Sequence, residues 1–362
     1  MAISIKFDNN IQKEFTATLM SRVNKYFKEN SLSKYGGNSL IFKSLILTFV
    51  YIGAYVLIMS GVLNIYIMWL FTAILGVAAA GIGMAFMHDA NHGSFSKSKK
   101  INQLMGLSME MIGASSTTWK IKHNILHHTY TNIENVDEDI ASRPLYRFTK
   151  GAKLYKFHRF QQFYMFFLYG LMTLVWAVIG DFTQLNRFHK QGLLGKNKTF
   201  GMELFKLIIS KIFYYSYAII LPLVFLDITW WQFLIGFFTV QFIFGFILSV
   251  TFQMAHMVEK AEFPEPQNNI ISQNWFVHQL QTTADFAQKN KILTWYIGGL
   301  NFQVEHHLFP RISHIHYPAI SKIVKQTTKE FDITYNVYDN FFQALKSHFK
   351  MLKKMGRTPE LA

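Results

Sequence analysis

The sequence predicts an all-α integral membrane protein with four transmembrane helices, additional interfacial or re-entrant helices and a cytoplasmic, histidine-rich cap. Three observations predict it. Hydrophobic residues make up 51% of the 362 positions, several nearly charge-free runs are long enough to cross ~30 Å of hydrocarbon, and the 36 Lys and Arg residues collect in the polar connections. A helix buried in a soluble protein rarely stays apolar all round for so long.

The first run is 45–62, with Lys43 placed to snorkel from its edge, and the second is 65–87. The third, 207–226, carries Lys211 as its one charge, and the fourth is 230–252. Leu63 and Asn64 separate the first pair, Asp227 and Ile228 the second, and neither turn is basic. The basic connections therefore belong inside and the two hairpin turns outside. Run 163–179 is apolar enough to span but is flanked on both sides by basic stretches, so it is expected to be interfacial or re-entrant. Run 101–118 is amphipathic, contains Glu110 and should likewise dip without crossing. Residues 1–38 form a polar cytoplasmic arm, 39–335 the membrane domain and 336–362 a basic tail. No cleaved signal peptide is recognisable, so the first span is expected to act as the anchor.

A formal net charge of +15 raises nucleic acid as a partner, but the charge follows the loops and no nucleic-acid module is present. Cysteine is absent, which excludes disulfides and thiolate ligands and leaves nitrogen and oxygen to bind any metal.

Histidine supplies the nitrogen. "HDANH" puts His88 and His92 at i and i+4, "HNILHH" holds His123, His127 and His128, and "QVEHH" holds His306 and His307 behind Gln303. His256, in "QMAHMVE", stands alone at the end of the fourth run. At ~1.5 Å per residue, His88 and His256 lie about 35 and 39 Å along their helices, just past the hydrocarbon on the cytoplasmic side. A lone helix-end histidine is more often solvated than a ligand, but three clusters holding seven of the fourteen histidines are not explained that way. Eight imidazoles exceed what one tetrahedral zinc needs and suit two metals, with iron favoured for oxidative chemistry at a lipid boundary. His158, His189 and His348 lie in basic stretches and are expected to be solvated, and His278 is expected at the surface. His314 and His316 either support the third cluster or meet a headgroup.

"HDANHGSF", "HNILHHTYTN" and "GGLNFQVEHHLFP" resemble the three histidine boxes of the membrane fatty acid desaturases, over residues 40–320. They are closest in kind to the branch of linoleoyl-CoA and other front-end desaturases, in which glutamine opens the third box. The resemblance implies an oxygen-dependent acyl desaturase acting on acyl-CoA or acyl-lipid, with delta-6-like selectivity. It implies two Fe ions on His88, His92, His123, His127, His128, His306 and His307, with His256 as a further ligand. Gln303 is then a weak or water-mediated ligand, Asp89 orients a histidine or is a solvated helix-end acid, and Trp119 is a tunnel wall or an interfacial anchor. No His-Pro-Gly-Gly haem motif occurs, so electrons are expected from a ferredoxin or free cytochrome b5 with its reductase. A hydroxylase or a sphingoid-base or carotenoid oxidase would keep the metals and change the product. A metal transporter fits poorly, because transport sites lie near the bilayer midplane.

Overall fold

The computed structural model describes residues 5–360; the first four residues of the expected arm and the last two of the tail lie outside them. The chain divides into two compact units. One comprises 38–121 and 166–250, the other 1–37, 122–165 and 251–362.

The first of these units is built on the spanning helices. Four helices have the length and composition to cross a membrane: Gly37–Met59, Ile65–His92, Phe200–Phe225 and Trp230–His256. The first begins earlier than the apolar run suggests, because Gly37 in the left-handed region turns the chain into it. Asn64 starts the second by accepting hydrogen bonds from the Tyr66 and Ile67 amides, both at 3.1 Å. The second and fourth helices touch at Gly76, where an added Cβ would lie 2.8 Å from the Val240 carbonyl oxygen. Helices Lys156–Gly170 and Met172–Lys190, which contain the ambiguous run, are bent by 52° at their junction. Run 101–118 breaks into short helices at Lys99–Gly106, Ser108–Met111 and Ser116–Trp119.

Two lysines of the spanning helices are buried. Lys43 does not snorkel; it is 3% exposed and its charge is felt by the buried Asp89. Lys211 spends all three donors, on Asp181 Oδ2 (2.7 Å) and on the carbonyls of Gly113 and Trp176 (both 2.8 Å). Asp181 Oδ1 in turn accepts from Thr118 Oγ1 at 2.8 Å, which ties the third span to the residue before Trp119.

The second unit gathers the polar segments. The helix Lys13–Glu29 repeats Phe15, Leu19, Val23 and Phe27 every fourth residue, and this stripe packs on Val277, Leu280, Val304, Leu308, Ile320 and Val324. Two short parallel ladders pair Lys6–Phe7 with Ile270–Ile271 and Asp285–Phe286 with Val337–Tyr338. Arg147, fully buried, donates to the carbonyls of Met355 (2.6 Å) and Thr358 (2.7 Å) and so fastens the end of the helix Phe341–Met355. Three histidines expected in solvent are buried here. His158 bridges the Tyr155 amide and the Pro144 carbonyl, while His348 donates to the Met257 carbonyl at 2.8 Å. His278 is wholly enclosed, and burial pushes its pKa and that of His348 down to about 4. Their local sequence is polar, but their helices turn these side chains inward.

The Lys211 network yields a prediction. Lys211→Met strands a buried carboxylate and two carbonyls and should cost about 3–5 kcal/mol. It should appear as a marked fall in the detergent melting midpoint, and an unchanged midpoint would show the pair to be dispensable.

Candidate metal centre

In the spanning unit the second helix is interrupted at Ala85 (φ −92°, ψ −96°) and resumes as Phe86–His92, which Gly93 ends at φ 78°. His88 and His92 therefore stand one turn apart, with ring centroids separated by 4.6 Å. Trp119 is buried and meets both edge-on, at 5.5 and 5.6 Å. Asp89 is 1% exposed, which removes its reading as a solvated helix-end acid.

The other unit brings six of the expected histidines together. The second box lies on Lys120–His127, which winds as a π-helix with i to i+5 hydrogen bonds. His128 Nε2 consequently lies 3.3 Å from His123 Nε2. The helix Gln303–Leu308 presents the third box, and His306 Nε2 comes within 2.9 Å of His128 Nε2. The His307 ring stacks on His128 at 4.3 Å. His256, at the end of the fourth span, has its ring 4.6 Å from that of His127 and 4.8 Å from that of His307. Three groups in this unit can each converge on one ion, with donor atoms within 4.8 Å of one another: His127, His256 and His307; His128, His306 and His307; and His123, His127 and Asp139.

Each of three rings is held at Nδ1 by a neighbour. His127 Nδ1 donates to Asp137 Oδ2 at 2.9 Å, and His307 Nδ1 donates to Gln279 Oε1 at 2.8 Å. His306 Nδ1 shares a hydrogen bond with the Tyr317 hydroxyl at 3.2 Å. Asp137 is itself fixed by the Asn132 amide (2.9 Å), and Gln279 by Thr131 Oγ1 (2.8 Å). Donation from Nδ1, as at His127 and His307, sets the tautomer that leaves the Nε2 lone pair for a ligand role. At His127 that nitrogen is buried and makes no hydrogen bond, a state a metal ion would resolve. Burial opposes charge on His127, yet the Asp137 carboxylate and its hydrogen bond, with Asp139 behind it, hold its pKa above the ordinary value. The donor set thus fits a metal that takes imidazole nitrogen.

Gln303 is buried between two of these rings. Its amide donates to His256 Nε2 at 2.9 Å and lies 3.4 Å from His307 Nε2. Glu305 points elsewhere, accepting from the Tyr335 hydroxyl at 3.0 Å beside Asp285. Burial first, then the Asp285 charge, raises its pKa well above the carboxylate range. His314 and His316 are buried, the latter against Phe27.

Asp137, Asp139, Thr131, Gln279 and Tyr317 were not singled out from the sequence. The aspartates had a signal: "ENVDED", 134–139, concentrates acid just behind the second box in a chain with 21 acidic residues. Gln279 and Tyr317 had none, since only the fold brings them to the rings. Asp137→Ala and Gln279→Ala should each weaken metal retention by about 10–100-fold. Competition with a chelator for cobalt(II), added as a probe, checks this, and wild-type retention in both variants would deny these residues the role.

Comparison with known proteins points one way. The family model described as Fatty acid desaturase matches residues 63–339. An sn-1 linoleoyl-lipid 6-desaturase of Arthrospira platensis is 34% identical over 96% of this chain and 94% of its own length. One of the same name from Synechocystis is 33% identical over 98% of each chain. An acyl-lipid (8-3)-desaturase of Physcomitrium patens is 33% identical over 98% of this chain and 74% of its own.

Proposed function

The chain belongs to the fatty acid desaturase family, and on that premise we propose that it inserts a cis double bond into a long acyl chain carried by a lipid or CoA, between an existing double bond and the carboxyl end. The names of its relatives support the front-end choice. The eight histidines, His88, His92, His123, His127, His128, His256, His306 and His307, carry two iron ions. The observation behind this is the meeting of the Nε2 atoms of His123, His128 and His306, beside the unspent Nε2 of His127.

When bound, the irons supply the activation of O2 that an unactivated methylene pair requires. The overall change takes two hydrogens from the chain and, with O2, two electrons and two protons, yields the alkene and two waters. The protein's own residues hold and orient. Asp137, Gln279 and Tyr317 keep His127, His307 and His306 in the tautomer and direction the metals need. Trp119 keeps water and side chains away from His88 and His92, and the enclosed setting of the other boxes does the same for theirs. Gln303, a neutral amide and a poor iron ligand, leaves a coordination position near His256 and His307 weakly filled. Electrons come from a separate ferredoxin or from free cytochrome b5 and its reductase. The basic loops and the absence of Lys and Arg from the hairpin turns support a cytoplasmic location for the boxes.

Expression in a host without polyunsaturated lipids, supplied with linoleate, tests the reaction. Mass spectrometry with double-bond location should find a triene whose new bond lies on the carboxyl side of the existing pair. A hydroxylated product, or a bond on the methyl side, would refute the assignment. In the same membranes Gln303→Ala should keep its iron and lose most of the product, whereas His306→Ala should lose the iron. Equal loss of iron in both would make Gln303 a structural ligand.

A further inference from the structure

The spanning unit contains a cavity that the proposed chemistry does not use. It measures about 520 Å³ and lies among all four spanning helices at their hairpin-turn end, between the level of Ile58, Ile65 and Leu226 and the level of Leu75 and Val240. From Ile65 to Leu75 is about 15 Å of helical rise, half the hydrocarbon thickness and so the depth of one leaflet. The floor is the contact of Gly76 with Val240, where the second and fourth helices close on each other. His88 is about 20 Å further along the chain from Leu75.

The tyrosines, Trp69 and Thr72 of the inner wall spend their donors within the protein. Tyr51 donates to the Tyr217 hydroxyl at 3.0 Å, Tyr217 donates to the Met111 carbonyl, and Tyr55 donates to the Tyr217 carbonyl at 2.7 Å. The Trp69 indole donates to Thr239 Oγ1 at 2.8 Å, and Thr72 Oγ1 to the Trp69 carbonyl at 2.6 Å. The third span is π-helical at Ser216–Ile220, and this opened turn supplies Tyr217 and Ala218 to the wall. At the mouth stand Tyr66, Trp69 and Trp231, exposed by 80%, 54% and 49%. Tyr and Trp collect at headgroup depth, which sets the opening at the membrane surface and the cavity in the hydrocarbon beneath.

We propose that this cavity is a lipid site, occupied by one acyl tail of a phospholipid from the hairpin-side leaflet with its headgroup at the aromatic mouth. A dry apolar space of this size within a bilayer has hydrocarbon as its available filling. The closed floor and the distance to His88 separate it from the reacting chain, so its occupant is a resident lipid that braces the helices.

The test uses the full chain in nanodiscs of phosphatidylcholine bearing a diazirine at the end of one acyl chain. After irradiation, peptide mass spectrometry should find adducts concentrated on Thr72, Gly236 and Ala218, above those on the outward-facing Phe49 and Phe213. Two filling variants remove the space: Ala218→Phe, and Gly236→Leu, whose new Cβ would meet only Thr72 Cγ2, at 3.3 Å. Each should cut the cavity adducts about tenfold, a change worth 1.4 kcal/mol, while leaving those on Phe49, product yield and accepted chain length unchanged. Adducts no denser in the cavity than on Phe49, or undiminished by filling, would overturn the proposal. Filling that shortens the accepted acyl chain would also overturn it, since the cavity would then be the end of the substrate tunnel. The adduct pattern needs neither iron nor turnover, so it is read independently of the desaturase assignment.

Discussion

A buried imidazole is costly unless both its nitrogens are used, and the way this chain uses them organises everything around the histidine boxes. At His127, His306 and His307 one nitrogen is committed to a protein partner, an aspartate, a tyrosine hydroxyl and a glutamine carbonyl. The other is turned inward toward further histidines. Such fixing removes rotamer and tautomer freedom before any metal arrives, so binding energy is not spent on ordering the ligands. The supports are themselves supported. Asn132 holds Asp137 through its amide and ties the second box to the carbonyls of His256 (3.2 Å) and Thr282 (3.1 Å) through its side chain.

The supporting groups are held in place by a well-packed polar part of the chain. The stripe of Phe15, Leu19, Val23 and Phe27 covers the core that includes Val304 and Leu308, on either side of His306 and His307. Arg147 fastens the end of the helix carrying His348, and His348 bonds the carbonyl next to His256. Charge inside the spanning unit follows the same rule, as Lys211 and Asp181 are buried with every strong donor and acceptor engaged.

The spans and boxes were legible because their signals are local: apolar run length for the helices, and repeated short spacing for His88, His92, His123, His127, His128, His306 and His307. The winding of the second box was not legible, because α- and π-helices share the same residue types and differ in which neighbour a ring meets. Nor were the burials of His158, His278 and His348, or of Lys43, for in each case a polar side chain becomes an interior one only through packing with remote segments. Pro144 for His158 and Asp89 for Lys43 belong to such segments. Gln303 was visible as a departure from a third histidine, but its place between His256 and His307 needed the fold.

The central claim is that imidazole Nε2 atoms, aimed by groups bonded at Nδ1, hold a pair of irons. Metal analysis with iron-edge X-ray absorption on the purified, active protein tests it most directly. The account predicts about two irons per chain with backscattering dominated by imidazole nitrogen. A single zinc per chain, or iron whose spectrum lacks the imidazole signature, would contradict it.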